Sequence, residues 1–173
     1  MDIPENFLYL YWNKYFSIYL TMANVYTQIY LHLVFSPMGH ENVIPQRHKE
    51  ELQKYTTGII KNLNHKLLAI NFMPDHVHIL AGYNPSQPLP DLVRDIKANS
   101  SRFFNGNKWL PGKFQWQKGY GAFSYSRSHV DDVINYINTQ EEHHKRASFK
   151  EEYLKLLERF EVDFDPGFLF DWI

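Results

Sequence analysis

The chain has no cysteine among its 173 residues. This absence excludes disulfide bonds and thiolate metal sites, so a metal ion would need histidine, carboxylate, amide or water ligands. It also agrees with a cytoplasmic location. No apolar run is long enough to cross a bilayer, and we see no internal repeat. Because hydrophobic residues make up 44% and charged residues 21%, the sequence predicts one soluble globular unit rather than a disordered chain.

The chain also has almost no net charge, because its 18 bases and 19 acids give a formal net charge of −1. The distribution is uneven: residues 149–173 hold seven acids and three bases, and residues 1–21 hold two acids and one base. The 18 bases and 19 acids of the whole chain therefore leave 14 bases against 10 acids in residues 22–148. A middle region of charge +4 permits phosphate binding without requiring it.

The first 21 residues are rich in aromatic side chains and lack the basic start and small-residue cleavage site of a signal peptide. A strand pattern follows Met22 almost at once. We therefore treat residues 1–21 as an extension, either upstream of a natural start at Met22 or a loosely attached appendage. The alternative is a small extra helix or strand that packs on the domain. Residues 22–173 then form the domain, with a C-terminal helical tail from about residue 145.

Hydrophobic periodicity divides this domain into strand and helix patterns. The predicted strands span 25–35, 66–72, 76–83 and 123–126, and the predicted helices span 46–64, 90–104, 128–144 and 149–160. Met73, Pro74 and Asp75 form a tight connection that suits an antiparallel strand pair.

The order β-α-β-β-α-β predicts an α+β fold, the split βαβ arrangement of ferredoxin-like and RRM-like domains. We expect an antiparallel sheet with two helices on one face, plus C-terminal helices. The other face would be free to carry a site. Unrelated proteins share this topology, so the fold alone does not decide function.

Two histidines, His76 and His78, lie two residues apart in a predicted strand. Side chains at this spacing project from the same face, so two neutral imidazoles could share one metal ion. Ordinary strand histidines with satisfied hydrogen bonds are the alternative interpretation.

Tyr136 and Gln140 lie four residues apart in a predicted helix, so one helical face presents a phenol and an amide. Taken alone, this spacing is more typical of helix packing. Tyr83, Tyr120 and Tyr125 compete with Tyr136 as candidate nucleophiles, but they lack the amide partner one helical turn away. We interpret His143 and His144, near the predicted end of this helix, as favourable charges at the helix terminus rather than as ligands.

Three blocks of sequence resemble the TnpA-type transposases, the small single-tyrosine HUH transposases of insertion sequences. The blocks are MPDHVHIL at 73–80, WQKGYGAFS at 116–124 and YINTQEEHH at 136–144. They occur in the right order, and the resemblance extends from about residue 25 to residue 160. Domesticated relatives that act on repetitive palindromic elements share the same pattern.

The resemblance implies that His76, His78 and Gln140 hold a divalent metal, Mg²⁺ or Mn²⁺, and that Tyr136 is the nucleophile. It further implies cleavage and rejoining of single-stranded DNA through a 5′-phosphotyrosine link. The expected partners are single-stranded DNA with hairpin ends and a second copy of the chain, with possible active sites in trans. We expect no nucleotide cofactor, because no Gly-rich phosphate-binding motif is present, and no membrane.

Two stretches mix phosphate-binding groups with an aromatic side chain that could stack on a base. These candidate DNA-binding residues are Lys97, Ser100, Ser101, Arg102, Lys113, Trp116, Gln117 and Lys118. A solvated helix face and a buried tryptophan would explain the same residues.

Two readings from other classes remain open. A non-catalytic module that binds single-stranded nucleic acid would use His76 and His78 only as structural residues. A small metal-dependent hydrolase would need an acidic ligand, and Asp75 is the carboxylate beside the histidine pair.

Overall fold

In the part of the chain that the structure describes, four strands form one antiparallel sheet in the order β2-β3-β1-β4. The strands are β1 Tyr30–Phe35, β2 Lys66–Phe72, β3 Val77–Gly82 and β4 Gly121–Tyr125. β1 pairs antiparallel with both β3 and β4, and β2 pairs antiparallel with β3. This order confirms the predicted split βαβ sheet.

The structure is a computed structural model that describes residues 26–39, 43–165, 167 and 169. The predicted extension, residues 1–21, lies outside the described residues, as does the proposed start at Met22. Among the residues described, no helix has both the length and the apolar character that a membrane crossing would need.

In the described residues, two α-helices alternate with the strands and three more follow β4. They are α1 Lys49–Asn62, α2 Leu89–Gly106, α3 Val130–Asn138, α4 Gln140–His143 and α5 Phe149–Arg159. Short 3-10 turns precede α1 and α3. The single helix predicted for 128–144 is divided at Thr139, whose φ of −102° and ψ of 18° depart from helical values.

α1 and α2 cover one face of the sheet. The largest buried cluster lies between them and the strands, because alternate strand residues point to the same face. This cluster includes Leu33, Phe35, Phe72, Val77 and Ile79 from the strands, and Leu52, Ile60, Leu92, Ile96 and Phe104 from the helices. The apolar stripes of both helices therefore face the sheet, as the periodicity predicts.

The opposite face is not free, contrary to our expectation. Val130, Val133 and Ile137 of α3 pack on Ala69 and Leu80. α5 packs on the other half of the same face, where Phe149, Tyr153, Leu156 and Leu157 meet Val34 and Phe123. The C-terminal helices therefore cover the face that carries the second histidine of the pair.

α5 begins with a capping box. The Ser148 hydroxyl accepts a hydrogen bond from the Glu151 backbone N–H, and the Glu151 side chain accepts one from the Ser148 backbone N–H. This reciprocal pair satisfies two donors that a helix start otherwise leaves unpaired. The cap therefore fixes the residue at which α5 begins.

Candidate active site

β3 brings the two histidines together. Val77 and Ile79 face the α1 and α2 layer, so His78 points to the opposite face. His76 lies one residue before the strand, and the two imidazole centroids are 4.8 Å apart with nearly perpendicular rings. Both side chains are fully buried. The spacing of two therefore produces the pair of neighbouring imidazoles that the sequence predicts.

Each imidazole of the pair is oriented through its Nδ1 atom. Nδ1 of His76 lies 2.7 Å from Oδ1 of Asp75, and the ring stacks on Phe149 at a centroid distance of 4.2 Å. Nδ1 of His78 lies 2.9 Å from Nε2 of His32. A second hydrogen-bonded group of this kind fixes the orientation of histidines that bind metal ions. The two Nε2 atoms are left to face the interior of the site.

Tyr136 reaches the site from α3, and Gln140 reaches it from the first position of α4. The Tyr136 hydroxyl donates a hydrogen bond to Oε1 of Glu152, and Nε2 of Gln140 donates to the same oxygen at 2.8 Å. The Tyr136 ring lies 5.9 Å from the His78 ring. One chain thus assembles all four predicted site residues.

Asn71 anchors α3 to the sheet. Its Nδ2 donates a hydrogen bond of 2.7 Å to the backbone carbonyl of Ile137, within the buried interior. Because Ile137 directly follows Tyr136, this contact fixes the part of α3 that carries the tyrosine. The Asn71 side chain is 5% exposed, so water competes little for the bond.

Glu152 is the central residue of the site, and our sequence reasoning did not identify it. Its carboxylate is buried and lies 3.2 Å from Nε2 of His78 and 3.9 Å from Nε2 of His76. The sequence does carry a signal for it. Glu152 stands at helical spacing from Phe149 and Leu156, so an acid occupies the apolar stripe of α5.

His144 contacts the other carboxylate oxygen, with its Nε2 at 2.8 Å from Oε2 of Glu152. This histidine follows α4 directly, so it is close to the helix terminus to which we assigned it. That interpretation is incomplete, because the side chain points at a buried carboxylate. His143 contacts the Tyr136 ring instead, at a centroid distance of 5.3 Å.

The polar atoms around this carboxylate fit a cation. In the described part of the chain, Oε1 of Gln140 is buried without a hydrogen bond. The Nε2 atoms of His76, His78 and His144 face the Glu152 carboxylate at 3.9, 3.2 and 2.8 Å. Buried polar atoms are rarely left unpaired unless an ion or water satisfies them. Imidazole nitrogens and oxygens are suitable ligands for divalent ions. Ligand atoms of His76, His78, His144 and Glu152 lie within 4.8 Å of one another.

Burial and neighbouring charges set the protonation of these groups. Burial lowers the pKa of His76 to about 4, against the opposing effect of Asp75, so its ring is neutral at pH 7. Burial would raise the pKa of Glu152, but contacts with His144 and His78 outweigh burial and hold this pKa well below its usual range. Glu152 is therefore ionised, which favours a cation beside it.

Tyr136 has a raised pKa. Burial is the largest cause, and the negative charge of Glu152 adds to it. The phenol is therefore protonated at neutral pH, and its oxygen is a weak nucleophile unless positive charge approaches.

A groove of about 760 Å³ runs along α2 and the loop before β4. Seven of the eight candidate DNA-binding residues line it: Lys97, Ser101, Arg102, Lys113, Trp116, Gln117 and Lys118. Arg94 and Tyr120 also contribute to its wall. The described lining contains five cationic side chains and no acidic one, although Asp91 and Asp95 pair with Arg94 from outside the groove.

Five of the eight candidates have side-chain hydrogen-bond partners within the chain: Lys97, Ser100, Arg102, Trp116 and Gln117. Nζ of Lys97 donates to the carbonyl oxygens of Gln117 and Gly119, at 2.9 and 2.6 Å. Trp116 is only 7% exposed, and its indole N–H donates to the hydroxyl of buried Ser100 at 2.9 Å. In this arrangement the Trp116 indole packs inside the core and is not exposed for stacking on a base. Ser100 is likewise too buried to reach a phosphate.

Comparison with known proteins identifies related sequences. The model of a family described as IS200-like transposases matches residues 25–140. The ISDra2 transposase TnpA of Deinococcus radiodurans is 25% identical over 118 residues, which cover 65% of this chain and 84% of that protein.

Solved structures share the fold. A crystal structure from Deinococcus radiodurans R1, described as a transposase, has a TM-score of 0.53 and 25% identity, and the match covers 68% of this chain and 94% of the other. A REP-associated tyrosine transposase bound to a REP hairpin has a TM-score of 0.52 at 12% identity, over 70% of this chain and 72% of the other. At that identity the second likeness concerns the fold alone.

Proposed function

Because this chain belongs to the IS200-like transposase family, and so is a DNA transposase, we propose that it cleaves and rejoins single-stranded DNA with Tyr136 as nucleophile. One observation carries the proposal: a tyrosine hydroxyl lies beside a buried histidine pair, within a site that fits a divalent cation. A non-catalytic binding module does not account for three imidazoles gathered around one buried carboxylate, beside a buried amide oxygen that has no hydrogen bond.

Cleavage in this proposal is a transesterification. The Tyr136 oxygen attacks the scissile phosphorus, and the bond from phosphorus to the 3′ oxygen breaks. The products are a 5′-phosphotyrosine link and a free 3′-OH, so the phenolic proton is balanced by the proton on the leaving oxygen. Rejoining is the reverse attack by a 3′-OH on the phosphotyrosine link. Each step exchanges one phosphodiester for another, so no nucleotide cofactor is required.

His76, His78 and Gln140 would hold the divalent ion, Mg²⁺ or Mn²⁺. When bound, the ion would neutralise charge on the scissile phosphate and favour the ionised form of a nearby phenol. Asp75 and His32 keep the two imidazoles oriented through their Nδ1 atoms. Glu152 orients the Tyr136 hydroxyl by accepting its hydrogen bond.

The expected partner is single-stranded DNA with hairpin ends. The cationic groove along α2 supports this part of the proposal, because phosphate contacts dominate affinity for nucleic acids. Its exposed cations are Arg94, Arg102, Lys113 and Lys118. The REP hairpin in the solved structure of similar fold offers a further parallel. We propose that this groove binds the folded part of the DNA while a single-stranded segment reaches Tyr136.

Tyr136 and the histidine pair meet within one chain, which supports a site that works in cis. A homodimer, with or without exchange of the tyrosine helix, stays a prediction. Mixing a Tyr136→Phe chain with a His78→Ala chain tests exchange, since activity returns only if sites form in trans.

The direct test uses purified full-length protein, Mn²⁺ and single-stranded oligonucleotides that cover the DNA flanking the gene, including its hairpins. A covalent protein–DNA adduct should appear on a denaturing gel with wild-type protein. Tyr136→Phe should abolish it, and EDTA should prevent it. Tyr55→Phe is the matched control, because Tyr55 lies on α1 and stacks on Phe103, on the opposite face of the sheet.

An adduct of unchanged yield from Tyr136→Phe would contradict the assignment of the nucleophile. If wild-type protein forms no adduct, and its DNA binding is the same with and without chelator, the non-catalytic module is the better account. Oligonucleotides with isolated repetitive palindromes, compared with those from element ends, separate a domesticated relative from the transposase of a mobile element.

A further inference from the structure

The part of the chain beyond residue 140 contributes two side chains to the site. The family match ends at residue 140, yet His144 and Glu152 both lie among the residues whose ligand atoms gather within 4.8 Å. Both come from the C-terminal segment that leads into and forms α5. The chemistry of the metal centre therefore extends into a region that the family match does not cover.

Glu152 is an unusual residue for a helix that packs on a sheet. Its side chain is 2% exposed, and its ion-pair partners among the described residues are histidines: His76, His78 and His144. Burying a carboxylate is costly unless a cation or several hydrogen bonds compensate. The two hydrogen bonds that this carboxylate accepts, from Tyr136 and Gln140, both go to Oε1, so Oε2 faces histidines. Histidines compensate fully only when protonated. A bound divalent ion would satisfy the carboxylate and leave the imidazoles neutral.

The spacing of the ligand atoms is close to that of one coordination sphere. Atoms bound to a single ion at about 2.1 Å lie at most about 4.2 Å apart. The four atoms here are within 4.8 Å of one another, which exceeds that limit by only about half an ångström. Oε1 of Glu152 already lies 3.2 Å from Nε2 of His78, and Oε2 lies 2.8 Å from Nε2 of His144.

We propose that Glu152 and His144 are direct metal ligands, which adds a third histidine and a carboxylate to the proposed centre of His76, His78 and Gln140. The inference rests on the proposed metal site of His76 and His78 and extends it. Imidazole-rich sites favour first-row transition ions, whereas Mg²⁺ prefers oxygen ligands and retains water. This centre therefore binds Mn²⁺ in preference to Mg²⁺.

The same carboxylate accepts the Tyr136 hydrogen bond. Coordination by Glu152 consequently ties the position of α5 to that of the nucleophile. α5 then supplies a metal ligand in addition to packing on the sheet.

Calorimetric titration of the full-length protein with Mn²⁺ tests the proposal without using DNA cleavage as the readout. Glu152→Gln keeps the size of the side chain and removes its charge. We expect it to weaken Mn²⁺ binding by about tenfold or more, since loss of even an outer-shell partner costs about 10–100-fold. Glu158→Gln is the matched control on the exposed side of α5 and should bind as wild type does.

His78→Ala separates the two levels of the proposal. If His78→Ala loses Mn²⁺ binding while Glu152→Gln and His144→Asn keep wild-type affinity, the inference is overturned and the proposed site stands. If His78→Ala also binds Mn²⁺ with wild-type affinity, both the inference about Glu152 and His144 and the proposed metal site are contradicted. Circular dichroism in EDTA checks folding of each variant. If Glu152→Gln does not fold, the Mn²⁺ affinity of His144→Asn tests the proposal instead. His144 is half-buried and lies outside the helices, so its replacement should not prevent folding.

Discussion

Gly121 controls how closely α5 approaches the sheet, so its replacement by alanine should destabilise the fold. A Cβ atom at Gly121 would lie 2.9 Å from Cε2 of Phe123, 2.9 Å from the Tyr153 hydroxyl and 3.0 Å from Cε2 of Tyr153. Carbon atoms in contact prefer about 3.5–4.0 Å. The overlap is therefore about 0.5–1 Å on two rings.

Neither ring can move away freely. Phe123 is 2% exposed and Tyr153 is 5% exposed, and both belong to the cluster that holds α5 on the sheet. Overpacking of a closed core costs about 1–3 kcal/mol, and we expect a loss in that range for Gly121→Ala. Because Tyr153 follows Glu152, relief of the clash by movement of α5 should also weaken Mn²⁺ binding.

Urea unfolding followed by far-ultraviolet circular dichroism measures the change in the free energy of unfolding. Gly58→Ala is the matched control, because a Cβ at Gly58 meets nothing within 4 Å. In the middle of α1, that change should stabilise the protein by about 0.5–1 kcal/mol. A Gly121→Ala protein as stable as the wild type would refute the close packing of α5 on β4.

Three further predictions concern the anchor of α3, the groove and the metal. Asn71→Ala should lower the free energy of unfolding by about 1–3 kcal/mol, because the buried carbonyl of Ile137 loses its donor, and urea unfolding checks this. Trp116→Phe should reduce stability and leave DNA affinity unchanged. Lys113→Ala should weaken DNA binding and reduce the slope of log affinity against log salt concentration by about one. Fluorescence anisotropy measures both affinities. Mn²⁺ at about 100 times its Kd should stabilise the fold by about 2.7 kcal/mol. A midpoint temperature of thermal unfolding that is the same with and without Mn²⁺ would contradict the metal site.

The sheet and its order follow from local patterns in the sequence. The strand β2 has the predicted bounds, and β3 differs from the prediction by one residue at each end. Alternation within β3 places His78 on the face opposite Val77 and Ile79, since side-chain direction in a strand depends only on position. Local rules were sufficient for these elements.

The rest of the site depends on tertiary packing. Glu152 enters the site because α5 folds back over β1 and β4, and its capping box and apolar stripe do not specify that destination. His32 is part of an apolar strand pattern, and only the β1–β3 pairing brings it beside His78. Trp116 is an aromatic residue in a basic stretch, so its residue type suits base stacking. Its side chain is nevertheless buried, because it lies on the inner side of the loop before β4. Long-range contacts of this kind leave no periodic signal in one sequence.

Mass spectrometry of the protein–DNA adduct tests the central claim most directly. After cleavage of a hairpin-containing single strand in Mn²⁺ and digestion with protease and nuclease, the phosphonucleotide remnant should be found on the peptide that contains Tyr136. The chain has 12 tyrosines, so the location is informative. Modification of Tyr136 alone would support the account, and a remnant on any other tyrosine, such as Tyr120 or Tyr125, would contradict it.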